Sequence, residues 1–81
     1  MVTFFKSQKE LAQALIEVID AYWAKSLMEE DMMNKIDELV QKNREKIYTN
    51  GDYASVIKQR LGKKRLALVI KVMELKGEKT V

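Results

Sequence analysis

The 81-residue sequence contains no cysteine, no histidine, no proline and only three glycines. The absence of cysteine and histidine excludes disulfides, thiolate nucleophiles, Cys/His zinc sites and the Ser-His and Cys-His catalytic pairs. The remaining carboxylates, lysines and tyrosines show no spacing typical of acid–base catalysis. We therefore predict no catalytic residues, no metal site, no cofactor and no enzymatic activity.

Long hydrophobic runs are also missing, because no stretch approaches the ~20 apolar residues that cross a bilayer. The first residues, Met1-Val2-Thr3-Phe4-Phe5-Lys6, lack the apolar core and cleavage site of a signal peptide. Apolar residues make up 47% and charged residues 33% of the chain, which is typical of a folded domain. We expect a cytoplasmic protein with no membrane association, forming one domain over residues 1–76 with a frayed tail at 77–81.

The charges are distributed unevenly along the chain. Residues 1–53 contain seven Lys or Arg and ten Asp or Glu, whereas residues 54–76 contain seven Lys or Arg and one Glu. The first part therefore has a net charge of −3 and the second a net charge of +6. This asymmetry indicates either an anionic partner for the second part or attraction between the two parts within the fold.

Two capping-box patterns predict a helical hairpin at the start of the chain. Ser7-Gln8-Lys9-Glu10 precedes an amphipathic stretch that extends to about Lys25, and Ser26-Leu27-Met28-Glu29 precedes a second one that extends to about Asn43. Because the second pattern follows the first helix directly, the connection is short. The two helices are then expected to be antiparallel.

Several large apolar residues of this hairpin admit two interpretations. Tyr22 and Trp23 lie at the edge of the first apolar face, where core packing is the expected role and stacking on a ligand is the alternative. Met28, Met32 and Met33 follow the start of the second helix. They either fill gaps in a small core or line an adaptable groove for a partner helix or a second copy of the chain.

The second half predicts two more helices. Asn50-Gly51 marks a turn, either as a two-residue hairpin or as a loop in which Asp52 caps the next helix. A helix follows over residues 53–61, and Gly62 is expected to end it as a left-handed C-cap. The last helix, over residues 63–75, has an apolar face broad enough to place it in the centre. The predicted fold is an all-α, four-helix domain: an antiparallel hairpin followed by a pair resembling a helix-turn-helix.

The cations near Gly62 are the main candidates for a binding site; they are Lys58, Lys63, Lys64, Arg65 and Lys71. Three of them open the last helix, where the dipole makes each cation unfavourable by a few tenths of a kcal/mol. A helix start with several cations is a good receptor for phosphate, so we predict binding of nucleic acid or another polyanion. If the helix instead continues through Gly62, the same residues form a solvated charged face.

Arg60 falls within the apolar face that the pattern assigns to residues 53–61. A guanidinium there needs a carboxylate partner or access to water, so we expect an ion pair with the acidic part of the chain, with a role as an anion ligand as the alternative. The last helix contains no Asn, Gln, Ser or Thr to read base edges. Binding through phosphates with little sequence discrimination is therefore expected. A protein-interaction or self-association module without a nucleic-acid role is the alternative function.

The residues Asp52-Tyr53-Ala54-Ser55-Val56-Ile57-Lys58-Gln59-Arg60-Leu61-Gly62-Lys63-Lys64-Arg65-Leu66, together with Gln8-Lys9-Glu10-Leu11-Ala12 and Tyr22-Trp23, are similar to a family of short uncharacterised bacterial proteins. The resemblance spans nearly the whole chain. It implies a small, self-contained cytosolic protein. It implies no activity and no functional residues.

Overall fold

Four helices and one two-stranded hairpin make up residues 5–77, the part of the chain that the computed structural model describes. Their order is α1 (Gln8–Trp23), α2 (Glu29–Lys42), α3 (Arg44–Ile47), β1 (Tyr48–Thr49), β2 (Asp52–Tyr53) and α4 (Ser55–Leu75). This architecture confirms the predicted all-α class. The tail predicted at 77–81 lies outside the described residues, apart from Gly77.

Helix α1 begins as the capping pattern predicts. The Ser7 side-chain oxygen accepts a hydrogen bond from the Glu10 amide at 3.2 Å, and its hydroxyl donates to the Glu10 carboxylate at 3.3 Å. At the other end, the Ser26 amide donates to the Ala21 carbonyl at 2.8 Å. Lys25 lies between them in the left-handed region, with φ of 64°. These bonds form a Schellman motif that ends α1 and reverses the chain, although most such motifs have glycine at this position.

The second predicted capping box is wrong. Met28 occupies the N-cap position of α2, and no side chain there bonds to the first turn. Ser26 is unable to take this role because its backbone already closes the end of α1. The helix start is stabilised instead by its first three residues, Glu29, Glu30 and Asp31, whose carboxylates complement the positive end of the helix dipole.

The Asn50-Gly51 turn closes a two-residue β-hairpin. Both residues have positive φ, 53° and 80°, and Tyr48 pairs with Tyr53 across the strands. Their rings lie 5.0 Å apart, and burial raises the pKa of Tyr53. Asp52, the expected helix cap, accepts a hydrogen bond from the adjacent Tyr53 amide at 2.7 Å and does not cap α4. The hairpin holds Asp52 in the strand, so the helix begins two residues later than that prediction requires.

Helix α4 is interrupted at Gly62, as the glycine predicts. The backbone angles there are φ 76° and ψ 173°, which lie outside the helical region. They also lie outside the left-handed helical region expected for a C-cap, in a region that only glycine adopts readily. The interruption divides α4 into a first arm, residues 55–61, and a second arm, residues 63–75.

The hydrophobic core lies between α1, α2 and α4, with contributions from the short segment that joins α2 to α4. Its fully buried large side chains are Leu11, Leu15, Ile19, Met32, Ile36, Leu39, Val40, Ile47, Ile57, Leu61, Val69 and Met73. Helix α4 packs against both α1 and α2, and α1 packs against both α2 and α4. Helix α2 likewise packs against both of the others, so the three long helices share the central position predicted for residues 63–75. This sharing leaves part of the broad apolar face of α4 at the surface, including Leu75, which is 64% exposed.

Candidate functional site

The interruption at Gly62 gives the second arm of α4 its own helix start, and basic residues lie on both sides of it. Arg60 precedes the glycine, and Lys63 and Lys64 follow it; all three side chains are exposed. Within residues 5–77, none of the three forms an ion pair. We call Arg60, Lys63 and Lys64 the outer cluster. Lys63 and Lys64 lie at the positive end of the dipole of the second arm, and Arg60 lies in the last turn of the first arm, three residues before Lys63.

The ion pair predicted for Arg60 is wrong. The pattern placed Arg60 within an apolar face that included Tyr53 and Val56. In the fold, Tyr53 belongs to the hairpin, Val56 is 37% exposed, and the buried face of the first arm consists of Ile57 and Leu61. Arg60 lies beside this narrower face and points to solvent. Its charge therefore contributes to the surface of the junction.

Arg65 makes the contact with the acidic half that Arg60 was expected to make. Its Nε donates to Asp20 Oδ1 at 3.0 Å, and its Nη2 donates to Oδ1 and Oδ2 at 2.9 and 3.1 Å. The guanidinium also lies 5.7 Å from the centre of the Trp23 ring. A bidentate hydrogen-bonded pair is among the strongest contacts that arginine makes with a carboxylate, and the nearby aromatic ring adds a cation–π attraction. The predicted anion ligand Arg65 is thus already occupied by a carboxylate of α1.

Asp20 was not distinguished from the other carboxylates in the sequence, because it lies on the polar face of α1 with Glu17 and Gln13. Its spacing from Arg65, 45 residues, gives no local signal. Trp23 is 46% exposed and is therefore not the core residue that the sequence predicted. The sequence feature that could have pointed to the Asp20–Arg65 pair was Trp23, a large aromatic residue at the edge of an apolar face, one turn from the Asp20 carboxylate.

Lys58 also has a partner. Its ammonium lies 2.7 Å from Asp52 Oδ2 across the hairpin and the start of α4, and both side chains are exposed. The hydrogen bond from Lys58, followed by the one from the Tyr53 amide, holds the pKa of Asp52 below its ordinary value. An exposed pair of this kind is readily broken by a competing phosphate. A phosphate nevertheless has to displace Asp52 first, so Lys58 is a weaker candidate ligand than the outer cluster.

Lys71 lies further along the second arm. It is exposed and follows Lys64 by seven residues, so the two lie on one face of the helix about 10.5 Å apart. Lys71 lines a small cleft between α2 and α4, together with Leu68 and Leu75. Of the five predicted anion ligands, Lys63 and Lys64 lie at the outer cluster, Lys71 lies two turns away, and Lys58 and Arg65 form ion pairs.

The three methionines occupy different environments. Met32 is 1% exposed and belongs to the core, Met33 packs partly buried against it, and Met28 is 75% exposed. Met32 and Met33 line the small cleft of about 150 Å³ between α2 and α4, but Met28 does not. The three side chains therefore do not form one continuous groove, and the gap-filling interpretation holds for Met32.

Residues 5–77 hold no cluster of three or more Asp, Glu, His or Cys side chains placed to bind a metal ion. Among the helices of the same segment, none combines the length and the apolar character that crossing a bilayer requires.

Comparison with models of protein families gives a match. A family model described as "conserved hypothetical protein" covers residues 2–74, which is nearly the whole chain. No curated protein and no solved structure matches the sequence. Since the family model covers far more than half of the chain, this protein belongs to that conserved hypothetical protein family.

Proposed function

We propose that this protein binds the phosphate backbone of nucleic acid through the outer cluster, with little dependence on sequence. The observation that carries the proposal is the exposure of Arg60, Lys63 and Lys64 around the interruption at Gly62, without carboxylate partners among the described residues. Lys63 and Lys64 lie at a helix start, where cations cost stability, so a stable fold alone does not account for these two residues.

The contrast with Arg65 and Lys58 supports the same proposal. Each of these two has a carboxylate within 3 Å, and both carboxylates lie on elements that pack against α4 or adjoin it. The cations near Gly62 thus fall into two groups. Arg65 and Lys58 have carboxylate partners, and the outer cluster has none among residues 5–77. Unpaired surface cations are the groups that contact phosphates and release counterions on binding.

Low sequence discrimination follows from the second arm. Between Arg65 and Leu75 its side chains are apolar except for Lys71 and Glu74, so it has no amide or hydroxyl side chain for base edges. Trp23 is exposed near Arg65 and offers a surface on which an unpaired base can stack. Comparison of single strands with duplexes measures that contribution.

Fluorescence anisotropy with labelled single-stranded and duplex oligonucleotides of unrelated sequence, over a range of salt concentrations, tests the proposal. The Lys63→Ala/Lys64→Ala variant should lose about tenfold or more in affinity at low salt, and the slope of log K against log salt should fall by about 2. Lys6→Ala/Lys9→Ala removes the same charge from two exposed lysines before and within α1, and serves as the matched control. Absence of binding by the wild type, or an equal loss in both variants, would disprove the proposal.

A further inference from the structure

A groove of about 530 Å³ lies along the α1–α2 hairpin. Ala14, Ala21 and Leu27 contribute apolar surface to it, and Glu10 and Glu17 line it on α1. The two glutamates are seven residues apart, so their carboxylates are separated by two helical turns, about 10.5 Å along the axis. No residue of α4 lines this groove. It is thus an apolar channel with two acidic groups at a fixed spacing.

The acidic groups of the groove are available to a cationic partner. Glu10 accepts a hydrogen bond from the Ser7 hydroxyl, and Glu17 accepts one from the Gln13 amide, both at 3.3 Å. These partners are neutral, and neither carboxylate forms an ion pair with a described residue. Lys35, which lines the α2 side, already has an interaction of its own.

The second arm of α4 has a stripe with the matching chemistry. Lys64, Leu68, Lys71 and Leu75 follow one another at intervals of four, three and four residues and therefore share one face. Both lysines are exposed, Leu68 is partly buried, and Leu75 is 64% exposed. The stripe therefore presents apolar surface between and beyond its two cations.

The spacing of the stripe equals that of the groove. Glu10 and Glu17 repeat at seven residues on α1, and Lys64 and Lys71 repeat at seven residues on α4. We propose that the groove of one molecule binds the α4 stripe of a second copy, with the two helices side by side and running in the same direction. Lys64 then lies opposite Glu10 and Lys71 lies opposite Glu17.

The apolar positions fit the same register. Ala14 and Ala21 follow the two glutamates at four residues, just as Leu68 and Leu75 follow the two lysines. Small residues on one helix let a large residue of the other approach closely, so each leucine packs over an alanine in the groove. A register shifted by one turn, with Lys64 four residues before Glu10, places Leu68 against Glu10 and Leu75 against Glu17.

A second copy is the occupant that the charges favour. The hairpin that forms the groove belongs to the part of the chain with net charge −3, and the stripe belongs to the part with net charge +6. Groove and stripe share no residue. One molecule therefore uses both surfaces at once, and the association is head-to-tail, giving rings or open chains in place of a simple twofold dimer.

A charge-swap experiment on the full chain tests the proposal. Sedimentation of the wild type from about 5 μM to about 500 μM should show association that weakens as salt is added. The variants E10K/E17K and K64E/K71E should each associate about tenfold or more weakly. An equimolar mixture of the two should regain association, because every groove then meets a stripe of opposite charge. E30K/E45K changes two exposed acids outside the groove and is the matched control.

Glu10 also contributes to the cap of α1, so the pair E17K and K71E repeats the mixing test without altering that cap. This pair also tests the register, since Glu17 and Lys71 face each other only when the helices run in the same direction. A wild type that remains monomeric throughout, a mixture that does not recover, or an equal loss in E30K/E45K would each overturn the proposal. Association that appears only after deletion of residues 1–4 would also overturn the proposal, because that result would mean that a second copy does not bind the groove of the full chain.

The phosphate site and the self-association surface are separable. Lys63 belongs to the outer cluster but not to the stripe, so K63A should weaken binding of oligonucleotides and leave sedimentation unchanged. Glu17 belongs only to the groove, so E17K should weaken self-association and leave oligonucleotide binding at least as strong. Failure of one proposal in these measurements leaves the other standing.

Discussion

Lys64 and Arg65 are adjacent cations at the start of the same helical arm, but they face different surroundings. Arg65 binds Asp20 through three hydrogen bonds and lies against Trp23, whereas Lys64 points to solvent without an ion pair among the described residues. One step of 100° around the helix separates the two. A run of like charges is thus divided between the fold and the surface, and its composition alone does not show which residue serves which role.

The division depends on the interruption at Gly62, so Gly62→Ala should have the largest effect. The backbone angles there are accessible to glycine and cost other residues on the order of 1–3 kcal/mol. No atom lies within 4 Å of an added Cβ, so the loss in unfolding free energy comes from the backbone and not from a clash. Urea denaturation measures it. An unchanged free energy would mean that α4 tolerates a continuous helix.

Arg65 faces α1, and Arg65→Ala should lower the unfolding free energy by about 1–2 kcal/mol. The variant loses both the bidentate pair with Asp20 and the contact with the Trp23 ring. Arg65→Lys retains the charge but not the paired geometry and should lose roughly half as much. A double-mutant cycle with Asp20→Ala isolates the coupling. The emission of Trp23, the only tryptophan, should shift in both variants; equal stability of Arg65→Ala and wild type would contradict the assignment.

The end of α1 provides the reverse of the Gly62 test. Lys25 adopts φ of 64° without being glycine, at a cost of about 1 kcal/mol. Lys25→Gly should therefore raise the unfolding free energy, by up to about 1 kcal/mol. Lys25→Ala removes the same side chain without relieving the backbone and is the control. If both variants behave alike, the side chain and not the backbone conformation determines the effect.

Lys63 and Lys64 face solvent, and the variant Lys63→Ala/Lys64→Ala should have an unchanged or slightly higher melting temperature. The two cations oppose the helix dipole, so their removal gains a few tenths of a kcal/mol at most. Calorimetry at low and high salt measures this, because salt screens the effect. A clear loss of stability would show that these lysines, like Arg65, support the fold.

The smallest effect is expected at Lys58. In the folded protein its hydrogen bond holds the pKa of Asp52 below the ordinary 3.8, so the pair stabilises the fold above that pH and loses its contribution as pH falls through the folded value. Lys58→Ala should raise the pKa of Asp52 toward 3.8. Titration of the Asp52 carboxyl by NMR measures the change, and an unaltered pKa in the variant would show that the Tyr53 amide alone maintains it.

Local signals in the sequence predicted much of the fold. The Ser7 cap, the end of α2 near Asn43 and the interruption at Gly62 all follow from a few neighbouring residues, because caps and positive φ depend on local chemistry. The predicted Ser26 cap of α2 was wrong because the end of α1 and the start of α2 both make a demand on Ser26. Its backbone closes the end of α1, and Met28 takes the N-cap position of α2. The hairpin prevailed over the Asp52 cap because cross-strand packing of Tyr48 and Tyr53 depends on the surrounding fold.

By itself, the sequence determined an all-α domain, the helix break and a basic junction, since helical periodicity and glycine conformation are properties of short segments. Only the tertiary structure decided which cation pairs with which carboxylate. Asp20 and Arg65 meet because α1 and α4 pack in one register, and both helices contribute to one core that includes Leu11, Leu15 and Ile19 of α1. Packing of this kind joins residues far apart in the chain, so local patterns carry no record of it.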